Sequence, residues 1–208
     1  MRTVAILILS LLTLLSAPAF GADFHMGLTA AKRGDYATAL REWTPLAEQG
    51  HPKAQYNLGV MYNNGYGVEQ DYAMALEWFR RAAEQGFAIA QYNLGMMYDN
   101  GNGVVQDYTA AAEWYRHAAE QGDAGAQHNL GLMYHKGEGV EGDYAAAAEW
   151  FRRAAKQGYV MAQFNLGLMY YNGDDIVQDY VQAHIWGNIA RSNGSASAEK
   201  LLTLLEKK

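Results

Sequence analysis

Gln91-Tyr92-Asn93-Leu94-Gly95 is one of four copies of a single phrase. The others are Gln55-Tyr56-Asn57-Leu58-Gly59, Gln127-His128-Asn129-Leu130-Gly131 and Gln163-Phe164-Asn165-Leu166-Gly167. The spacing is 36 residues each time, and residues 55–90 and 91–126 agree at 25 of 36 positions. Trp78, Trp114, Trp150 and Trp186 keep that period, as do Gly50, Gly86, Gly122, Gly158 and Gly194. A period of this length marks an array of small units, none of which can bury its apolar face alone.

Each unit reads as two helices. Ala54, Leu58, Met61 and Tyr62 fall at helical spacing and predict a first helix over 52–64. Pro52 suits its first position, where the amide has no partner to lose. His51 stands at the cap position, and Asp123 and Ser195 are good N-caps at the same place in later units. The loop Asn64-Gly65-Tyr66-Gly67-Val68 follows. Asp71 then caps a second helix, with Asp35, Asp107, Asp143 and Asp179 in matching places. That helix carries Ala75, Trp78, Phe79, Ala82 and Ala83 on an apolar face, so the tryptophans are expected in the core. Gly86 ends it, free to take the left-handed cap conformation.

Gly59, Gly95, Gly131 and Gly167 lie inside first helices, where glycine costs ~1 kcal/mol against alanine. Their fixed place predicts a close helix crossing, with Ala75, Ala111, Ala147 and Ala183 as the facing residues. The end units differ from the inner ones. Gly27 to Ala39 is four residues shorter than Gly59 to Ala75, and Pro45 is expected to kink the second helix of that unit. The last loop, Gly173-Asp174-Asp175-Ile176-Val177, lacks the second glycine. Residues 195–207 read as a single capping helix with Leu201, Leu202, Leu204 and Leu205. The units run about 22–54, 55–90, 91–126, 127–162 and 163–198, all within one domain, 22–208.

Residues 1–21 read as a separate object. Arg2 precedes an apolar run from Val4 to Leu15, and small residues at Ala17, Ala19 and Gly21 suit cleavage before Ala22 or Phe20. The run is about 12 residues, short of the ~20 needed to cross a bilayer. A signal peptide is therefore expected, and a periplasmic or secreted product. The formal charge is −6, and loss of Arg2 makes it more negative by one. That balance excludes the basic stripe that nucleic-acid binding requires. There are no cysteines, hence no disulfide and no lipidated cysteine behind the signal.

Leu94-Gly95-Met96-Met97-Tyr98, Gly101-Asn102-Gly103-Val104 and Asp107-Tyr108, with Ala111, Trp114, Ala118-Ala119 and Gly122, resemble the Sel-1-like repeat. That family is a longer-looped relative of the tetratricopeptide repeat, and the resemblance covers residues 23–208. It implies an all-α, right-handed solenoid of about five helix pairs plus a C-terminal capping helix. It also implies adaptor or scaffold work on protein partners, in bacteria often in the envelope. First helices would line the concave face. Tetratricopeptide groove positions, carried over by register, then give three rows of partner-binding candidates. One is Tyr56, Tyr92, His128 and Phe164; the second is Val60, Met96, Leu132 and Leu168; the third is Asn63, Asp99, His135 and Tyr171. Asn64, Asn100, Lys136 and Asn172 stand one step on. The same spacing also suits packing between neighbouring units. Asn57, Asn93, Asn129 and Asn165 suit either a ligand backbone or, the favoured reading, a tie between units.

Catalytic and metal patterns are weak. His128 and His135 are seven residues apart on one predicted helix, ~10.5 Å along its axis, too far to share a metal directly. There is no HExxH motif, no phosphate loop and no Gly-x-Ser-x-Gly elbow. Ser197-Ala198-Glu199-Lys200 has the Ser-x-x-Lys spacing of serine β-lactamases, but the companion Ser-Asp-Asn and Lys-Thr-Gly elements are missing. The expectation is a non-catalytic, exported scaffold without cofactor or metal, binding a peptide or helix of an envelope or secreted protein. The alternatives are an enzyme acting on a β-lactam or cell wall, and a secreted host-interacting factor.

Overall fold

The computed structural model describes residues 21–174 and 177–207. The proposed signal peptide thus lies almost wholly outside the described residues. Among the described residues there are eleven helices and no strand. They are α1 (Phe24–Lys32), α2 (Tyr36–Glu48), α3 (Pro52–Asn64), α4 (Tyr72–Glu84), α5 (Ala88–Asn100), α6 (Tyr108–Glu120), α7 (Ala124–Lys136), α8 (Tyr144–Lys156), α9 (Val160–Asn172), α10 (Tyr180–Ser192) and α11 (Ala196–Leu205). Each helix packs on its neighbours in sequence, and α11 reaches back to α9 as well as α10. This is an α-solenoid, built of five helix pairs and a terminal helix. No described helix is long and apolar enough to cross a membrane.

Local chemistry places the helix ends. Asp35, Asp71, Asp107, Asp143 and Asp179 each accept backbone N–H groups in the first turn of a second helix. His51 and Asp123 do the same for α3 and α7, whereas Ser195 makes no side-chain cap bond to α11. Gly50, Gly86, Gly122, Gly158 and Gly194 all have positive φ, the left-handed turn that ends each second helix. α2 continues through Pro45 to Glu48.

The helical glycines face rings more closely than alanines. A β-carbon on Gly27 would stand 2.5 Å from Trp43, one on Gly59 2.6 Å from Phe79, and one on Gly131 2.8 Å from Phe151. Two of the expected alanine partners approach through their carbonyls, Ala147 at 3.3 Å from the same point on Gly131 and Ala183 at 3.4 Å from that on Gly167. In the fifth pair Gly187 stands where the ring would be, and Leu201 of α11 fills the space against both Gly167 and Gly187. The terminal helix thus supplies an internal plug as well as a lid.

The tryptophans need a correction. Trp78 is buried, but Trp114, Trp150 and Trp186 are only half-buried. Each packs against the cluster of the preceding unit, so their role is to join second helices in series. Glu42 occupies the matching place in the first pair, and its carboxylate accepts the Asp23 N–H and the Arg41 guanidinium. That backbone bond, with Arg41 second, holds its pKa below the usual carboxylate range.

A buried amide ladder locks the units in register. Gln91 Nε2 donates to the Ala83 carbonyl of α4 at 3.1 Å, and its Oε1 accepts from Gln121, the residue that caps the end of α6, at 2.7 Å. Gln55, Gln127 and Gln163 repeat this arrangement, Asn193 standing in for the second glutamine in the last pair.

Candidate protein-interaction surface

The first helices α3, α5, α7 and α9 form one wall, and the repeat places like residues in line along it. Tyr56 and Tyr92 are half-buried. Tyr56 rests on Phe79 and Phe87, with ring centroids 5.7 and 5.5 Å away, and Tyr92 on Tyr115 at 5.9 Å. Burial raises the pKa of both phenols, so they stay neutral donors.

His128 departs from its row. It is only 3% exposed, held between Phe151 at 5.7 Å and Tyr159 at 5.1 Å. Nδ1 faces Asn129 Oδ1 at 3.2 Å, and Asn165 Nδ2 faces Nε2 at 3.1 Å. The ring therefore carries its proton on Nδ1 and accepts at Nε2. Burial lowers its pKa, against the opposing pull of Asn129. It supports the wall and offers almost no contact surface, which removes it from the set of surface candidates. Phe164 is half-buried in the last cluster.

Val60, Met96, Leu132 and Leu168 are half-buried and pack against the cluster one unit further on. Each presents its remaining surface to solvent. In the third row, Asp99 accepts the Tyr115 hydroxyl at 3.1 Å. Burial first, and then Asp99, pushes the Tyr115 pKa far above the ordinary phenol range. His135 meets Tyr144 edge-on at 5.0 Å and lies 4.0 Å from Asp174, and Tyr171 meets Tyr180 at 5.8 Å. Asn63 reaches Asn64 at 3.5 Å. Of the step beyond, Asn64 and Asn100 donate to the carbonyls of Val60 and Met96. Asn93 likewise donates to Ile89, while Asn165 ties α9 to α7 through His128.

The sequence reading missed a fourth line of side chains. Tyr72, Tyr108 and Tyr144 follow the capping aspartates and are 38%, 37% and 38% exposed. They stand beside the third row, as the His135–Tyr144 contact shows. The recurring Asp-Tyr pair carried that signal. The second helices, in contrast, commit their arginines to their own side chains and to tyrosines of the following first helix. Arg81 and Arg153 lie over Trp78 and Trp150, and Glu149 holds Arg152 and Arg153. Arg80, Arg116 and Arg152 each donate to a tyrosine of the next unit.

No group of three or more His, Cys, Asp or Glu suited to a metal occurs among the described residues. Ser197 and Lys200 lie exposed in α11, and the intervening Glu199 faces Arg191 at 3.8 Å.

The Sel1 repeat pattern matches residues 52–87, 88–123, 124–159 and 160–195. Its boundaries fall at the helix starts, three residues before the Gln-centred phrase. A protective antigen of uropathogenic Escherichia coli with an SLR fold superposes with a TM-score of 0.84 at 40% identity, covering 88% of this chain and 40% of that one. A Sel1 repeat protein from Oxalobacter formigenes gives 0.81 at 35%, covering 85% and 72%. An immunity protein from Pseudomonas aeruginosa gives 0.50 at 27%, covering 76% and 59%. The chain thus spans less than half of the Escherichia coli protein. No curated protein matches it. Four matched units and the aligned helix pairs place this chain in the Sel1 repeat family, whose members generally serve as protein–protein interaction scaffolds.

Proposed function

We propose that this protein is an exported, non-catalytic adaptor that holds a segment of an envelope or secreted protein along the wall of first helices. The observation that supports this most is the continuity of Val60, Met96, Leu132 and Leu168. Four half-buried apolar side chains stand in line, with Tyr56, Tyr92 and Phe164 on one side and Asn63, Asp99, His135 and Tyr171 on the other. Adaptable apolar groups interleaved with fixed hydrogen-bonding groups suit an extended or helical peptide. The wall is firm, because the amide ladder and the glycine–ring contacts fix each unit against the next. Little ordering of the protein would then oppose binding. The apolar run before Ala22 supports export.

Affinity purification of the mature chain from its own cells tests the reading. Tyr92→Ala with Met96→Ala is expected to abolish partner recovery while the helical circular-dichroism signal is retained. Recovery at the wild-type level would remove the wall from the account. Finding the untreated protein in the cytosolic fraction with residues 1–21 still attached would remove the export step.

A further inference from the structure

Equivalent junctions along the wall can be compared directly. At the last one, between α7 and α9, His135 and Asp174 crowd a cleft of about 70 Å³ over Asn165 and Leu168. At the first, between α1 and α3, the matching positions hold Ala31, Tyr66, Asn57 and Val60, and the cleft is about 280 Å³. Two sequence features open it. Ala31 stands where His135 stands in the last junction, and the loop from α1 to α2 spans only 33–35 where that from α3 to α4 spans 65–71. Tyr66 stacks on Tyr36 with centroids 5.0 Å apart and planes within 9°, forming one flat aromatic side.

The floor is apolar: Trp43, Val60 and Met61. Trp43 has already given its N–H to the Phe24 carbonyl at 3.2 Å, so its ring offers only an apolar face. Lys32, the last residue of α1, lines the same cleft and is exposed. It joins no ion pair among the described residues, and no acidic side chain lines the cleft. The seat therefore combines one large apolar hole with one uncommitted cation.

We propose that this cleft seats the C-terminal residue of a partner protein, its apolar side chain on the floor and its free carboxylate on Lys32 and the Asn57 amide. This rests on the reading of the wall as a partner-binding face. The choice of a chain end follows from backbone geometry. Successive side chains of an extended peptide point to opposite sides, so an acidic residue beside an apolar anchor points away from the cleft. A terminal carboxylate belongs to the same residue as the anchor and enters with it. A charge-assisted hydrogen bond at the edge of an apolar floor then rewards the charged end over a neutral one.

The test is an NMR titration of the purified protein with three probes: acetyl-Gly-Gly-Leu as free acid, the same peptide as its C-terminal amide, and acetyl-Gly-Leu-Asp-amide. The free acid is expected to shift the amide signals of Lys32, Asn57 and Tyr66, with the other two probes about tenfold weaker. Lys32→Gln, at an exposed position, brings the acid to the level of the amide. Ala31→Phe fills the seat and removes binding of all three. Equal affinities for acid and amide, or no effect of Lys32→Gln, overturn the proposal. Shifts centred on Tyr92 and Met96 do so too. If partners are captured through Met96 but the free acid does not bind, the seat falls and the wall stands. If the acid binds as expected while capture ignores Met96, the seat stands and the wall falls.

Discussion

A β-carbon added to Gly95 would stand 2.7 Å from the Cδ1 edge of Tyr115. Real β-carbons do not approach that closely, so the ring on α6 fixes the residue on α5. Gly95→Ala gains ~1 kcal/mol of helix propensity, yet overpacking costs ~1–3 kcal/mol. Because the ring is fully buried and cannot swing away, a net loss of up to about 2 kcal/mol is expected. Urea denaturation checks it. Adding Tyr115→Leu to Gly95→Ala should cost less than the two single changes combined, since the clash is then relieved.

Gln91 joins three consecutive helices with one side chain, accepting from Gln121 and donating to Ala83. Gln91→Leu removes two hydrogen bonds, but the Ala83 carbonyl keeps the Gly86 N–H and the Gln121 amide keeps the His117 carbonyl, so a loss of ~1 kcal/mol is expected. A double-mutant cycle with Gln121→Ala should show coupling between the two positions. Strict additivity of the two losses would mean the ladder carries no register information.

His128 is neutral in the fold, with its pKa lowered chiefly by burial. The unfolded chain, with a pKa of ~6.5, takes up the proton first as pH falls. Stability linked to this ring is therefore complete above about pH 6.5 and declines as pH drops through that value, until the native ring is itself protonated. His128→Phe, the residue type found at 164, should flatten that part of the profile. Thermal melts of both proteins from pH 7.5 to 5 measure it, and parallel curves would contradict the assignment.

Leu201 takes the place of a missing ring between Gly167 and Gly187. Leu201→Ala is expected to cost ~2–5 kcal/mol. In a linear array, loss of a terminal interface is felt nearby first. Hydrogen exchange should therefore accelerate in α9 and α10 well before α3 and α4. Uniform acceleration along the chain would show that the end helix acts on the whole array.

Much of this molecule was legible in its sequence because one pattern is written four times. The period, the two helices per unit, the capping aspartates and the left-handed glycines all appear where the residues place them. Depth was harder to read. Register says that Tyr56, Tyr92, His128 and Phe164 point the same way, but not how deep each lies. Tyr159 lies over the smaller His128 ring, which is buried, whereas Tyr56 stays half-buried against Phe87 and Tyr92 half-buried beside Gly125 and Asp123. The glycine partners were read only in part: Ala147 and Ala183 do meet Gly131 and Gly167, through their carbonyls, but the nearer ring at Gly59, Gly95 and Gly131 was missed. The crossing brings the ring four residues beyond each alanine into the gap, and helical periodicity gives both the same face. Trp114, Trp150 and Trp186 serve the junctions between units, where part of the ring remains at the surface. The tyrosines of the Asp-Tyr pairs were overlooked because their neighbour, the cap, explained the phrase already.

The central claim is that a partner lies along the first helices. A photo-crosslinking residue placed at Met96 or Leu168 addresses it in living cells, with Glu113 on α6, an exposed second-helix position, as the control. The account predicts a shared, discrete crosslinked protein from Met96 and Leu168 and none from Glu113. The same product from Glu113, with none from either wall position, would contradict it.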